Sequence, residues 1–179
     1  MRARVSFIIF LCALRRLRRD RSGASAVEFA LVVPLVLVCI FGIFEIALSF
    51  LAAQLLETAT QDSTRMIMTG QVKSTSTSRD SFKATVCDRV KVLLNCNYLY
   101  IDAQAYSSLA DPTFPSPIEN GKFVDNTKWL TGKQGDIVVV RTFYTWPVFL
   151  TNFFGYNPSN LEGGKKLLSA SAAVRNEPW

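Results

Sequence analysis

The sequence predicts an α+β fold: a long N-terminal transmembrane helix that extends outward beyond the bilayer, a second short helix, and a small antiparallel sheet. Three observations predict it. From Phe29 to Ala53 the chain is apolar for 25 residues, interrupted by one charge, Glu45. Beyond that run, apolar residues recur at helical spacing, first to about Ile67 and again over 79–96. The remainder holds three stretches of alternating or β-branched residues, separated by loops rich in Pro, Gly and Asn.

Residues 1–23 form a basic leader. Seven arginines stand there against Asp20 alone, a surplus of +6 that equals the formal net charge of the whole chain. Everything after the leader balances to zero. A nucleic-acid-binding domain would carry its basic patch on folded structure, so no nucleic-acid partner is expected. Within the leader, "VSFIIFLCAL" (5–14) is apolar for ten residues, too short to cross a bilayer. Arg2 and Arg4 precede it, as in a secretory signal. Five arginines follow it, however, where that signal's small-residue cleavage site would stand. The run reads as a membrane-surface helix or an unstructured part of the leader.

The helix expected over 24–70 comes next. Its 25 apolar residues reach roughly 37 Å as helix, enough for a hydrocarbon core of about 30 Å with some tilt. Arg15, Arg16, Arg18, Arg19 and Arg21 precede the span closely. By the positive-inside rule they keep the N-terminus in the cytoplasm and send the rest across the inner membrane, to the periplasmic side. The lipid bilayer is therefore one expected partner. Leu48, Leu51, Leu55 and Ala59, then Met66 and Ile67, continue at helical spacing past the membrane, so the second half of the helix is expected to pack on something. Gly70 is the expected stop, followed by a linker over 71–78 that contains "KSTSTS".

The exported domain, 79–179, opens with "RDSFKATVCDRVKVLLNC", where Phe82, Val86, Val90 and Leu93 share a helix face and Asn95 is a terminator. Strands are expected at "YLYIDAQAY" (98–106), "DIVVVRTFYTW" (136–146) and "LLSASAAV" (167–174), with loops at 111–135 and 152–166. Three strands in about 100 residues make a modest core, which is expected to lean on the helix stripe or on neighbours.

Four cysteines divide by compartment. Cys12 is cytoplasmic and Cys39 lies in the span, while Cys87 and Cys96 are both outside, where disulfides persist. Nine residues along an unbroken helix would separate the last two by roughly 13 Å, beyond the ~7 Å limit for a bridge. A bond therefore requires the helix to end near Leu94 and the chain to turn back, which Asn95 and Asn97 permit; the disulfide is expected, with two free buried thiols as the alternative.

No histidine is present. That removes the usual general base, the serine and cysteine catalytic arrangements, and most zinc sites. Glu119, Asp125 and Asp136 lie in loop-like stretches without identifiable partners, and Gly163–Gly164 is an isolated pair rather than a phosphate loop. No catalytic residues, metal or cofactor are expected, and the chain is read as not an enzyme.

The stretch "RRDRSGASAVEF" (18–29) carries the most specific pattern: a basic leader, Gly23, then Ala24 with an acid, Glu28, at the fifth position and Phe29 next, ahead of an apolar helix. This matches the prepilin signal. Over 19–179 the chain resembles the TadE-like proteins of tight-adherence, Flp-type pilus systems. "RSGASAVEFALVVPLVL" is similar to that family's opening. Cys87 with Cys96 is similar to its exported pair, and "GDIVVVRTFYTWP" and "SASAAVRNEPW" are similar to its later strand and its ending. The apolar 5–14 run and the early Pro34 depart from the pattern without touching the cut site.

The resemblance implies a minor pilin or pseudopilin, cut between Gly23 and Ala24 by a membrane aspartic prepilin peptidase. It would act with other pilins and pseudopilins in pilus assembly, and so in surface adhesion and biofilm formation. Cleavage would leave a positive amine on Ala24, for which Glu28, four residues along, is a natural partner. Glu45 lies roughly 25 Å further up the helix, either as an assembly contact or as a carboxylate reaching water at the outer interface. Gly42 and Ser49 either let helices approach closely or fill space. The rival reading is a membrane-tethered periplasmic binding module that is never processed.

Overall fold

The computed structural model describes residues 23–72, 76–108, 114–149 and 159–178. The apolar run 5–14, Cys12 and the leader arginines lie outside the described residues. Two compact units divide the chain, Met1–Ile43 and Phe44–Trp179.

Helix α1 spans Ala24–Met68, and its mean hydropathy and length suffice to cross a membrane. In the first unit its large apolar side chains, among them Val27, Leu31, Leu35 and Phe41, are exposed. In the second unit the exposed apolar run continues from Phe44 to Leu51 and then stops. From there Ala52, Leu56, Ala59, Thr60, Ser63, Thr64 and Ile67 turn inward, a stripe at the i, i+3/i+4 spacing of a helix packed along one side. The stripe expected from the sequence is corrected here. Leu48 and Leu51 are exposed, Leu55 and Met66 only flank the core, and hydroxyl residues hold its centre. Their hydroxyls make that possible: Thr60 Oγ1 donates to Leu56 O at 2.7 Å and Thr64 Oγ1 to Thr60 O at 2.6 Å. The two threonine hydroxyls are thus satisfied by the preceding turn of their own helix, whereas the buried Ser63 hydroxyl has no hydrogen-bond partner among the described residues.

Gly70 ends α1 as expected, with φ of 70°. The N–H of Gly70 donates to Ile67 O and that of Gln71 to Met66 O, the paired bonds that close a helix through a left-handed glycine. Helix α2 covers Ser76–Val90. It starts within the stretch assigned to linker and stops four residues before the expected end. Phe82, Val86 and Val90 are fully buried.

Among the described residues five strands follow: β1 (Leu99–Tyr106), β2 (Ile118–Glu119), β3 (Lys122–Phe123), β4 (Ile137–Pro147) and β5 (Lys165–Arg175). The main sheet is antiparallel in the order β1-β4-β5, with Ile101 opposite Thr142 and Thr142 opposite Ala170. Alternation sorts its two faces. Leu99, Ile101, Val138, Val140, Tyr144, Trp146 and Leu168 join α1 and α2 in the main core. On the other face Phe143, Leu161 and Leu167 form a smaller cluster with Tyr100, Ile118 and Phe123.

That second face is roofed by the β2–β3 hairpin, which the loop expected over 111–135 does not include. Asn120 and Gly121, with φ of 50° and 73°, make the two-residue turn for which Asn-Gly is the strongest short-range signal. Beneath it, Asp102 and Arg141 face each other across the strands and pair at 2.7 Å, with side chains 2% and 13% exposed. Asp102 also accepts from Lys128 N and Gln104 Nε2, so the buried carboxylate is multiply satisfied.

Candidate processing and assembly site

Gly23 immediately precedes α1 and is exposed. A Cβ placed on it would meet nothing within 4 Å, and its backbone lies outside the left-handed region. Among the described residues, then, the fold does not require glycine here. Gly132 shows the contrast: its φ is 67°, and an added Cβ would lie 2.7 Å from Ala105 Cβ. One glycine is dictated by the fold; the other is open to a requirement from outside it.

Ala24 begins α1, Glu28 stands one helical turn later, and Phe29 follows; all three are exposed. Among the described residues no hydrogen bond or ion pair engages Glu28. The 45-residue helix thus presents Gly23, Ala24, Glu28 and Phe29 together at its start, on a stretch that makes no core of its own.

Glu45 is separate from that group. Its Oε1 accepts the backbone N–H of Phe149, just beyond the end of β4. Within its own chain, therefore, Glu45 contacts the segment that follows β4. Gly42 would accept a Cβ without contact, and Ser49 Oγ donates to Ile46 O at 2.9 Å on its own helix.

Cys87 and Cys96 are bonded, with Cα atoms 5.7 Å apart. The chain turns back sooner than Leu94. The N–H groups of Leu93 and Leu94 both donate to Val90 O. Asn95, expected to terminate the helix, instead caps the next one: its side chain accepts from Asn97 N at the start of a 3-10 turn, Cys96–Tyr98. That turn carries Cys96 back beside α2.

Two features were beyond sequence reasoning. Arg141 was read only as part of a strand, yet it is the buried partner of Asp102. Asn176, in the quoted ending, is buried and donates through Nδ2 to Thr131 O and Lys133 O. The next residue's N–H donates to Met68 O, so the ending ties β5 to the last turn of α1. Its signal was a polar side chain in a short, Pro-closed terminus, which does not by itself indicate burial. Asp125 and Asp136 prove to be local turn acceptors, for Thr127 and for Lys133 N. Gly163–Gly164, both at positive φ, turn the chain into β5. Among the described residues no group of three or more His, Cys, Asp or Glu is placed to hold a metal ion.

No curated protein and no solved structure matches the chain. The family model described as TadE-like protein matches residues 23–65. That match opens at Gly23 and ends inside the packed half of α1. Over residues 23–65 the chain is similar to TadE-like proteins.

Proposed function

We propose that this protein is a pilus assembly component of a tight-adherence system, a minor pilin or pseudopilin cut after Gly23 by a prepilin peptidase. One observation carries the reading: the TadE-like match begins at the glycine that the fold itself leaves unconstrained. Cleavage there would free the Ala24 amine one helical turn from Glu28, and the pair would neutralise each other at the membrane edge. The exposed apolar half of α1 supports both anchoring in the inner membrane and packing against other pilin-type helices. The exported domain would work on the periplasmic side, without catalysis, in surface adhesion and biofilm formation.

N-terminal sequencing from cells with and without the peptidase tests this. The expected mature chain starts at Ala24, loses all seven leader arginines and keeps 156 residues. Gly23→Val should block the cut by crowding a confined protease site while the anchor still inserts. If both samples retain the same N-terminus, the unprocessed tethered module replaces this reading.

A further inference from the structure

We infer that the exported domain touches the outer surface of the bilayer through Phe149, held there by Glu45. The inference rests on the membrane-anchoring part of the proposed function and not on pilus assembly.

From Phe44 to Leu56, Glu45 is the one charged residue. Around it on α1, Phe44, Ile46, Leu48, Phe50 and Leu51 are exposed. The domain's core takes over only at Ala52, two helical turns further on. The bond from Phe149 N to Glu45 Oε1 therefore brings the end of β4 back to a level where the helix is still exposed and apolar. Alternation past the strand does the rest. Val148 points inward, 9% exposed, whereas Phe149 is 77% exposed. A large ring is thus displayed beside an apolar helix surface that requires lipid.

The bond itself suits that depth. Val148 N still donates to Gly164 O, extending the ladder one residue past β4, so Phe149 carries the first N–H beyond it. At a membrane edge an unpaired amide and an unpaired carboxylate are each costly. Through this bond the amide gains an acceptor and the carboxylate a donor at that depth. An aromatic ring anchored at the headgroup level then adds a second point of membrane contact beside the span. Lipid is the occupant favoured here because the patch is continuous with the exposed run of α1.

Spin labelling of the full chain in phosphatidylethanolamine/phosphatidylglycerol vesicles tests this. Cys12→Ser and Cys39→Ser clear the background and leave the Cys87–Cys96 bridge intact. Labels then go singly at Phe149→Cys, at Ile46→Cys on the exposed helix, and at Gln134→Cys on an exposed loop of the domain. The expected result is that oxygen relaxes the labels at 149 and 46 more than a water-soluble nickel chelate does, with the reverse at 134. Adding Glu45→Ala should move the 149 label toward the behaviour of 134 and leave 46 unchanged; no movement overturns the role of Glu45. A 149 label that reads as aqueous while 46 reads as lipid overturns this inference alone. Low access of both reagents at 149 means that protein covers the ring, and also overturns it. If 46 itself reads as aqueous, the membrane anchor fails and the inference fails with it.

Discussion

The two parts of α1 divide at Ala52, and the more apolar part is the one left exposed. Before it, Val27 through Leu51 display their large side chains outward. After it, a stretch that includes Gln54, Glu57, Gln61, Asp62 and Arg65 buries Thr60, Ser63 and Thr64 almost completely. Burial within a chain therefore follows the available partner rather than hydrophobicity alone. The second part has a sheet to meet; the first, on the proposed reading, would meet lipid or other helices. Small hydroxyl side chains serve the second well, because Thr60 and Thr64 bond to their own helix and let β4 approach. Thr60 Oγ1 and Thr142 Oγ1 meet at 2.6 Å across that seam.

The comparison implies that the sheet-bearing unit keeps its stability apart from the exposed first part of α1, and the largest test lies in its interior. Asp102→Ala leaves Arg141 buried without its partner. A loss of about 3–5 kcal/mol is expected, read by denaturant unfolding in detergent, while membrane insertion stays intact. Loss of insertion as well would merge the two regions into one cooperative unit.

Leu56→Ala and Leu35→Ala set the same substitution on the two sides of the division. Leu56 is fully buried and Leu35 exposed. The first should destabilise the sheet-bearing domain by about 2–5 kcal/mol, and the second by no more than about 0.5 kcal/mol. Equal effects would erase the distinction.

Replacing both Cys87 and Cys96 with Ser should cost roughly 2–3 kcal/mol, since the bridge closes only a short loop. Alkylation and non-reducing mass spectrometry of the native protein should find these two thiols bridged.

Thr60→Val tests the polar seam directly. It leaves the Thr142 hydroxyl buried and unpaired, for a loss of about 1–3 kcal/mol. Adding Thr142→Val should recover much of that loss, because both partners are then apolar; a double-mutant cycle measures the coupling.

The smallest effect on stability is expected at Glu28. Glu28→Ala should leave the sheet-bearing domain's unfolding within about 0.5 kcal/mol of wild type, yet, on the proposed function, lower crosslinking to pilins. Glu28→Gln should fall nearer to the alanine variant than to wild type. Undiminished crosslinking would make Glu28 an incidental surface residue.

Helix spacing and strand alternation were legible wherever one side chain pattern met one surface. The three long strands fall within two residues of their expected ends, and Phe82, Val86 and Val90 occupy the face that their spacing assigns. The hairpin at Asn120–Gly121 was missed and read as loop: its strands of two residues are too short to show alternation, although Asn-Gly is itself a turn signal. Asp102 and Arg141 were not legible. They lie 39 residues apart, and only the register of β1 against β4 brings them opposite. The same holds for Glu45 and Phe149, whose pairing depends on where β4 ends relative to α1.

By itself the sequence determined the elements that need only local information. A long apolar run makes a span, arginines precede it, glycine stops a helix, and an acid sits one turn after Ala24. These follow from side-chain chemistry and from spacings of a few residues. Tertiary structure decided which side of α1 is core, how α2 yields so that Cys87 reaches Cys96, and which charges share a buried site. Those outcomes depend on contacts between residues far apart in the chain. Their free energy comes from burial and hydrogen bonds that exist only once the sheet has closed over the helix.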